Sequence, residues 1–347
     1  MALRRMRPWI PLQCATLLAA VVALSLGLSH CSGGGSSTTT TITTTLPAGL
    51  GGSDYGWYYL ASPCNREPYG VVYNYNTATA TINQQLQQMY DNGQRRLRIP
   101  IYFGRGLNSG TVMDSTGGNL APQFQANLTN LLAAIKAAGF VEIEVSFNPQ
   151  SANDPTQWST FSDDYYQENW SLIQNLRPLI AGAGISYHID LTNEGIPPPG
   201  WDAFLQYSQE LWNDYVSTFG SSDTIGFSII ADAAHVSQVS TVYGPSAYGN
   251  NGSPQRFDVH IYDETPASFN TAFSGLSAQG HQNVPWVIGE AYYNDAAEAA
   301  SLRQAINSSG QTVLYLMQWP LTSDLTCSNA VNVAPPADFS NYQAQNF

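Results

Sequence analysis

From residue 54 onward the chain alternates short β-rich runs with amphipathic segments, many of them closed by glycine. That alternation limits the fold more than any other feature. The runs at 56–61, 95–103, 141–147, 185–190, 224–231, 256–262, 284–290 and 311–319 are rich in Val, Ile, Tyr, Phe and Trp and read as eight strands. Between them, 79–92, 122–138, 163–183, 201–219, 236–242, 266–278 and 295–307 carry apolar residues at helical spacing. Eight strands separated by helices predict a (β/α)8 TIM barrel. The rival doubly wound sheet would carry a glycine-rich phosphate loop after its first strand, and the sequence has none there. No strong helix follows Trp319, so the last helix is expected to be short, or the tail to wrap the barrel.

Two of these strands end in a carboxylic acid. ISYHIDLTNEG (185–195) stops at Asn193-Glu194-Gly195 before three prolines, and VPWVIGEAYY (284–293) contains Glu290 at the strand end. Strand C-termini are where a parallel barrel keeps its reacting groups. Two such glutamates suit glycosidic bond cleavage, one as acid/base and one as nucleophile.

Within VEIEVSFN the apolar residues Val141, Ile143, Val145 and Phe147 alternate with Glu142, Glu144, Ser146 and Asn148, which should face the barrel interior. Arg96, Arg98, His188, Asp190, Asp258 and His260 fall on the inward set in the same way. Buried charges must be paired, so Arg98 is expected to bond Glu144 or Asp190. His188, Asp190, Asp258 and His260 could instead ligate a metal, but only if several converged at the strand tops. His188 and Asp190 precede their strand end, which argues for burial, and no cofactor or metal is expected.

The start of the chain reads as an address. Arg4, Arg5 and Arg7 precede an apolar run at 17–28, which predicts a signal peptide over 1–30. Leu28-Ser29-His30-Cys31 resembles a lipoprotein processing site with lipidation at Cys31, although His30 stands where that pattern prefers a small residue. A Ser/Thr/Gly-rich linker follows over 31–53, leaving 54–347 as one catalytic domain. The expected location is the cell surface or outer membrane through a lipid anchor, or otherwise secretion. In an exported chain the remaining cysteines, Cys64 and Cys327, should pair as a disulfide near the seam of the barrel. Charged residues make up 11% of the chain and its net charge is −13, with no basic patch, which excludes nucleic acid as an expected partner. A monomer is expected.

Taken together, these marks resemble clan A of the glycoside hydrolases, either the family five cellulases or a more distant family of the clan. Asn193-Glu194 resembles the clan's Asn-Glu pair on the fourth strand, and Glu290 its nucleophile on the seventh. His260-Ile261-Tyr262 is similar to its His-x-Tyr, Arg98 to its second-strand arginine, and Trp319 to its eighth-strand tryptophan. Phe147-Asn148-Pro149 departs from the usual histidine, and Gly195 from the usual proline. The resemblance implies a retaining glycosidase acting on β-linked polysaccharide or oligosaccharide. Glu194 would start protonated, its pKa raised by the neighbouring carboxylate and partial burial, and Asn193 would bond the sugar 2-hydroxyl. Tyr262 and Arg98 would donate to Glu290, Trp319 would lie under the sugar, and His260 would add a substrate contact. Apart from the resemblance, Trp57, an aromatic residue near a strand end, is a further candidate for stacking on a sugar face. A non-catalytic carbohydrate-binding lipoprotein on the same scaffold, or a transglycosylase using the same site, are the alternatives.

Overall fold

The backbone N–H and C=O groups of a buried strand need a partner strand on each side, and the long stretches between strands supply parallel crossovers. In the computed structural model of the protein, residues 50–62, 64–323 and 332–347 are described. The expected signal peptide, Cys31, the linker up to residue 49, and Cys327 lie outside the described residues. The strands are β1 (Gly52–Asp54), β2 (Arg96–Gly104), β3 (Met113–Asp114), β4 (Glu142–Pro149), β5 (Ser186–Asp190), β6 (Thr224–Gly226), β7 (Ile229–Ile230), β8 (Phe257–His260), β9 (Trp286–Glu290) and β10 (Val313–Gln318).

They form one parallel sheet in the order β6-β5-β4-β2-β1-β10-β9-β8-β7, with β3 beside β2. The two end strands are halves of one segment, parted by Phe227 and Ser228. Its first half pairs with β5 and its second with β8. The result is a curled parallel sheet with helices between its strands, in keeping with the expected α/β barrel.

The helices are α1 (Val71–Asp91), α2 (Pro122–Ala138), α3 (Asp163–Gly182), α4 (Asp202–Phe219), α5 (Ala233–Val236), α6 (Val239–Tyr243), α7 (Ala267–Ala278), α8 (Ala296–Ser309) and α9 (Ser340–Gln343). Their ends follow local chemistry. Pro122 starts α2, where a missing N–H costs nothing, and Gly139 ends it at φ 103°. Ser162 caps α3 by accepting from Tyr165 N, and Asp295 caps α8 by accepting from Glu298 N. In α2, Leu128, Leu131, Leu132 and Ile135 are fully buried, the face that the spacing assigned to the core.

Several boundaries differ from the sequence expectation. The first strand is Gly52–Asp54, not 56–61, so Gly52 and Ser53 belong to the sheet rather than to the linker. A Cβ on Gly52 would stand 1.8 Å from the Arg96 carbonyl oxygen, so only glycine permits this approach to β2. The first helix begins at Val71 rather than at 79, with Ala78 out of helical geometry inside it. Asn74 holds that early turn by donating to the nearby carbonyls of Pro68 and Gly70 and to that of Gly110, which comes from distant chain. The helix expected at 236–242 is two short pieces, α5 and α6. The tail both ends in a short helix and folds back on the sheet: Pro336 O accepts from Ser53 and Gln94, and Ala337 O from Asn92. Cys64 lies in the loop between β1 and α1; its expected partner is outside the described residues.

Candidate active site

The interior is organised around Arg98. Strand alternation turns it inward, and register sets Asp54 on one side of it and Glu144 on the other. Its side chain is fully buried and uses all of its fork. Nε donates to Glu144 (2.7 Å), Nη1 to Asp54 (3.0 Å) and Glu290 (2.7 Å), and Nη2 to Asp190 (2.7 Å), Asn193 (2.7 Å) and Ser146 (2.9 Å). Both expected partners, Glu144 and Asp190, are thus bonded at once. Five buried carboxyl groups face this one arginine and His260, so they cannot all be ionised. Burial pushes Asp54 and Glu144 well above the usual carboxylate range and Asp190 above it, despite Arg98. Asp258 goes the other way: burial raises it, but His260 and Glu144 pull it below its ordinary value. Glu144 is within hydrogen-bond reach of Asp258, and a proton there satisfies oxygens that otherwise have no partner.

Above this layer sit the two strand-end glutamates. Glu290 closes β9, buried, with Oε1 on Arg98 and Oε2 accepting from the Tyr262 hydroxyl at 2.5 Å. Glu194 follows β5 at φ 53°, a left-handed backbone that a residue with a side chain rarely adopts. Its N–H donates to Ser228 Oγ at 2.7 Å, and Ser228 in turn donates to Asp190. Gly195 comes next because a Cβ there would meet Phe227 at 2.4 Å and Thr192 O at 2.8 Å. This packing accounts for glycine where the resemblance led us to expect proline.

His260, at the end of β8, joins the pair. Its Nδ1 is 3.1 Å from Glu194 Oε1 and 3.5 Å from Glu290 Oε2, and its Nε2 is 3.6 Å from Asp258. Burial disfavours its charge, but Glu290, Asp258 and Glu194 outweigh burial and hold its pKa well above the ordinary value. The imidazolium then acts on both glutamates. Burial pushes Glu194 up, yet the hydrogen bond and charge of His260 bring it below its usual value. This reverses the sequence expectation of a raised Glu194, which counted the neighbouring carboxylate and missed the histidine. Burial, with Glu194 nearby, leaves Glu290 above its usual value against the pull of His260 and Arg98. One oxygen of Glu194, one of Glu290 and a His260 nitrogen all lie within 4.8 Å of one another. Glu144, Asp190 and Asp258 form a second such group, and Arg98 already bonds two of its members.

The aromatic residues divide. Trp319 is half-buried beside the site, edge-on to Trp57 at 5.6 Å between centroids. Trp57 is only 4% exposed and packs against Trp319 and Tyr102, so it offers little open surface for the stacking expected of it. Trp201 is 47% exposed and lines a cavity of about 450 Å3 with Asn148, Gln150, Asp154, His235 and Glu194. Sequence reasoning brought Arg98, Asn193, Glu194, His260, Tyr262, Glu290 and Trp319 to one place. It missed Asp54 and Ser228, whose only signals are register with Arg98 and a break between two half-strands.

No protein-family model matches the chain, and no curated protein matches it. Solved structures do resemble it. The exo-β-1,4-mannosidase of Opitutaceae bacterium strain TAV5 aligns over 78% of this chain at 12% identity with a TM-score of 0.52. The chain spans about half of that protein, 51% of its length. A GH5 xyloglucanase of Bacteroides ovatus aligns over 86% of this chain and 75% of its own, at 11% identity and TM-score 0.51. The β-mannanase of the blue mussel Mytilus edulis aligns over 82% and 90%, at 14% identity and TM-score 0.50. At such identities the likeness is one of fold: the chain shares the fold of these glycoside hydrolases.

Proposed function

We propose that the protein is a retaining glycosidase that cleaves β-linked polysaccharide or oligosaccharide by double displacement. The observation that carries this is the spacing of Glu194 and Glu290, with an oxygen of each within 4.8 Å. Retaining enzymes hold their carboxyl groups about 5–5.5 Å apart, whereas inverting ones need roughly 6.5–9.5 Å to admit a water.

Glu290 is the nucleophile. Arg98 and Tyr262 donate to its two oxygens, which orients the carboxylate and favours its ionised form against burial. Glu194 is the acid/base. In the resting site the proton resides on His260, one hydrogen bond of 3.1 Å from Glu194 Oε1. Transfer along that bond protonates Glu194 and removes the imidazolium charge together. Glu194 then gives the proton to the leaving oxygen while Glu290 attacks the anomeric carbon. In the second half, Glu194 takes a proton from water, which displaces Glu290 and releases the sugar. Asn193 accepts from Arg98 through its oxygen, which turns its NH2 toward the substrate 2-hydroxyl. The cavity beside Glu194 and Trp201 receives the leaving-group sugar, since the acid must stand on that side.

Export belongs to the same proposal: the basic start, the apolar run at 17–28 and the Ser/Thr/Gly linker support a secreted or Cys31-anchored enzyme, stapled by Cys64 and Cys327 and acting as a monomer. The deciding experiment is reducing-end release from β-mannan, xyloglucan, β-glucan and xylan, with product anomers followed by NMR. Expected are initial products of retained configuration and loss of activity in Glu290→Gln. Initial products of inverted configuration, or release unaffected by Glu290→Gln and Glu194→Gln, would refute the assignment.

A further inference from the structure

Beside Trp57 and Trp319 stands one arginine that no carboxylate of a described residue answers. In a chain of net charge −13, most described arginines are paired: Arg96 and Arg256 with Glu142, Arg105 with Asp164 and Glu168, Arg177 with Asp223, Arg98 with its ring of acids. Arg95 and Arg303 bond main-chain carbonyls away from the site. Arg66, in the loop between β1 and α1, is half-buried, and among the described residues no carboxylate lies within 4.0 Å of it.

Its position is nevertheless fixed. Nε donates to Asn332 Oδ1 at 2.7 Å, and the guanidinium carbon stands 4.5 Å from the Trp57 ring and 5.3 Å from that of Trp319. Cation–π contacts of this kind hold the planar group flat without neutralising it. Its two Nη groups make no hydrogen bond to a described residue. Two polar groups beside it are also unanswered: Trp57 Nε1, on a ring 4% exposed, and the Tyr102 hydroxyl, whose charge environment includes both Arg66 and Glu290. Three side chains with unused donors therefore cluster here, the guanidinium over Trp57 and Trp57 5.3 Å from Tyr102 between ring centroids.

The side of the cleft follows from the strand order. The cavity beside Glu194 is built from segments after β4, β5 and β7, whereas Arg66, Trp57, Tyr102 and Trp319 come from β1, β2 and β10, across the sheet. The leaving group lies with the acid, so Arg66 stands at the glycone end. A preorganised guanidinium fork with free Nη donors matches a carboxylate better than a neutral hydroxyl. An acidic protein also needs such a handle inside its cleft to hold an acidic polymer at all.

We propose that Arg66 makes the glycone end a carboxylate-reading subsite, so that the polymer carries uronosyl residues on the non-reducing side of the scissile bond. This rests on the proposed function for the direction of the cleft. The test is calorimetric binding of the full chain carrying Glu290→Gln, so that nothing is cleaved, to two matched pairs: cellohexaose against a β-1,4-glucuronic acid hexamer, and mannohexaose against a β-1,4-mannuronic acid hexamer. Arg66→Gln and Arg66→Lys are measured alongside, at low and moderate salt. Expected is a preference of at least tenfold for one uronate over its neutral partner, weakened by salt, lost in Arg66→Gln and partly kept in Arg66→Lys. Equal or weaker binding of both uronates, or a preference that survives Arg66→Gln, would overturn it. Because binding is read without cleavage, the two proposals fail separately. A chain that binds uronates through Arg66 but cuts nothing contradicts only the enzyme assignment. One that cuts neutral polymer without uronate preference contradicts only this subsite.

Discussion

Nδ1 of His260 lies 3.1 Å from Oε1 of Glu194, a contact between the end of β8 and the turn after β5. The histidine's charge, held by the acids around it, keeps Glu194 below its ordinary pKa. Removing that charge should raise Glu194. The alkaline limb of the kcat/KM profile reports loss of the proton that His260 and Glu194 share, which in the parent is set by the raised His260; with a carboxyl as its only holder, His260→Asn is expected to move that limb to lower pH. Activity at the optimum should fall by about 10²-fold. A limb that stays in place would show that His260 does not govern Glu194.

Ser228 supports the strained turn. It accepts from Glu194 N and donates to Asp190, both inside the protein. Ser228→Ala leaves that N–H without its acceptor, at a cost of about 1–3 kcal/mol. Kinetically, kcat should fall by about an order of magnitude or more with KM little changed, because the reacting carboxyl is displaced and not the binding surface. Equal changes in both constants would point to a general loosening instead.

Gly195 has no room for a side chain against Phe227 and Thr192. Gly195→Ala should therefore destabilise the protein by about 1–3 kcal/mol, as overpacking does, and lower kcat through the adjoining Glu194. Urea unfolding and steady-state rates on one preparation test both halves.

Glu142 lies deeper, bonded to Arg96 at 2.8 Å and His188 at 3.0 Å. Burial raises it, but the His188 and Arg96 hydrogen bonds win and bring its pKa to about 2 from 4.5. A depressed carboxyl contributes stability above its unfolded pKa, and that contribution is lost as pH falls through the folded value. Glu142→Gln should be less stable than the parent by about 3 kcal/mol near pH 6. The gap should close progressively from pH 4.5 toward 2. A gap independent of pH would mean the loss is one of packing.

The strand runs after the first, the apolar faces of the longer helices, the inward set Arg98, Glu144, Asp190 and His260, and the glutamates Glu194 and Glu290 at the ends of their runs were legible in the sequence. Each is a matter of period two, helical spacing or a motif at a strand terminus, properties of neighbouring residues. Tertiary structure decided the rest. Asp54 reaches Arg98 only because β1 pairs with β2 from Gly52, and the GSD segment has no pattern of its own to announce a strand. Ser228 reaches Glu194 through a gap between two half-strands, and Arg66 reaches Trp319 from the other end of the chain. The electrostatics followed the same division: strand-end motifs put two carboxyls together, but burial of Glu290 and the hydrogen bond from His260 to Glu194 set which is raised and which lowered. Such contacts depend on register around the sheet and on the balance of burial against Coulomb attraction, and both exist only once distant segments share one low-dielectric interior.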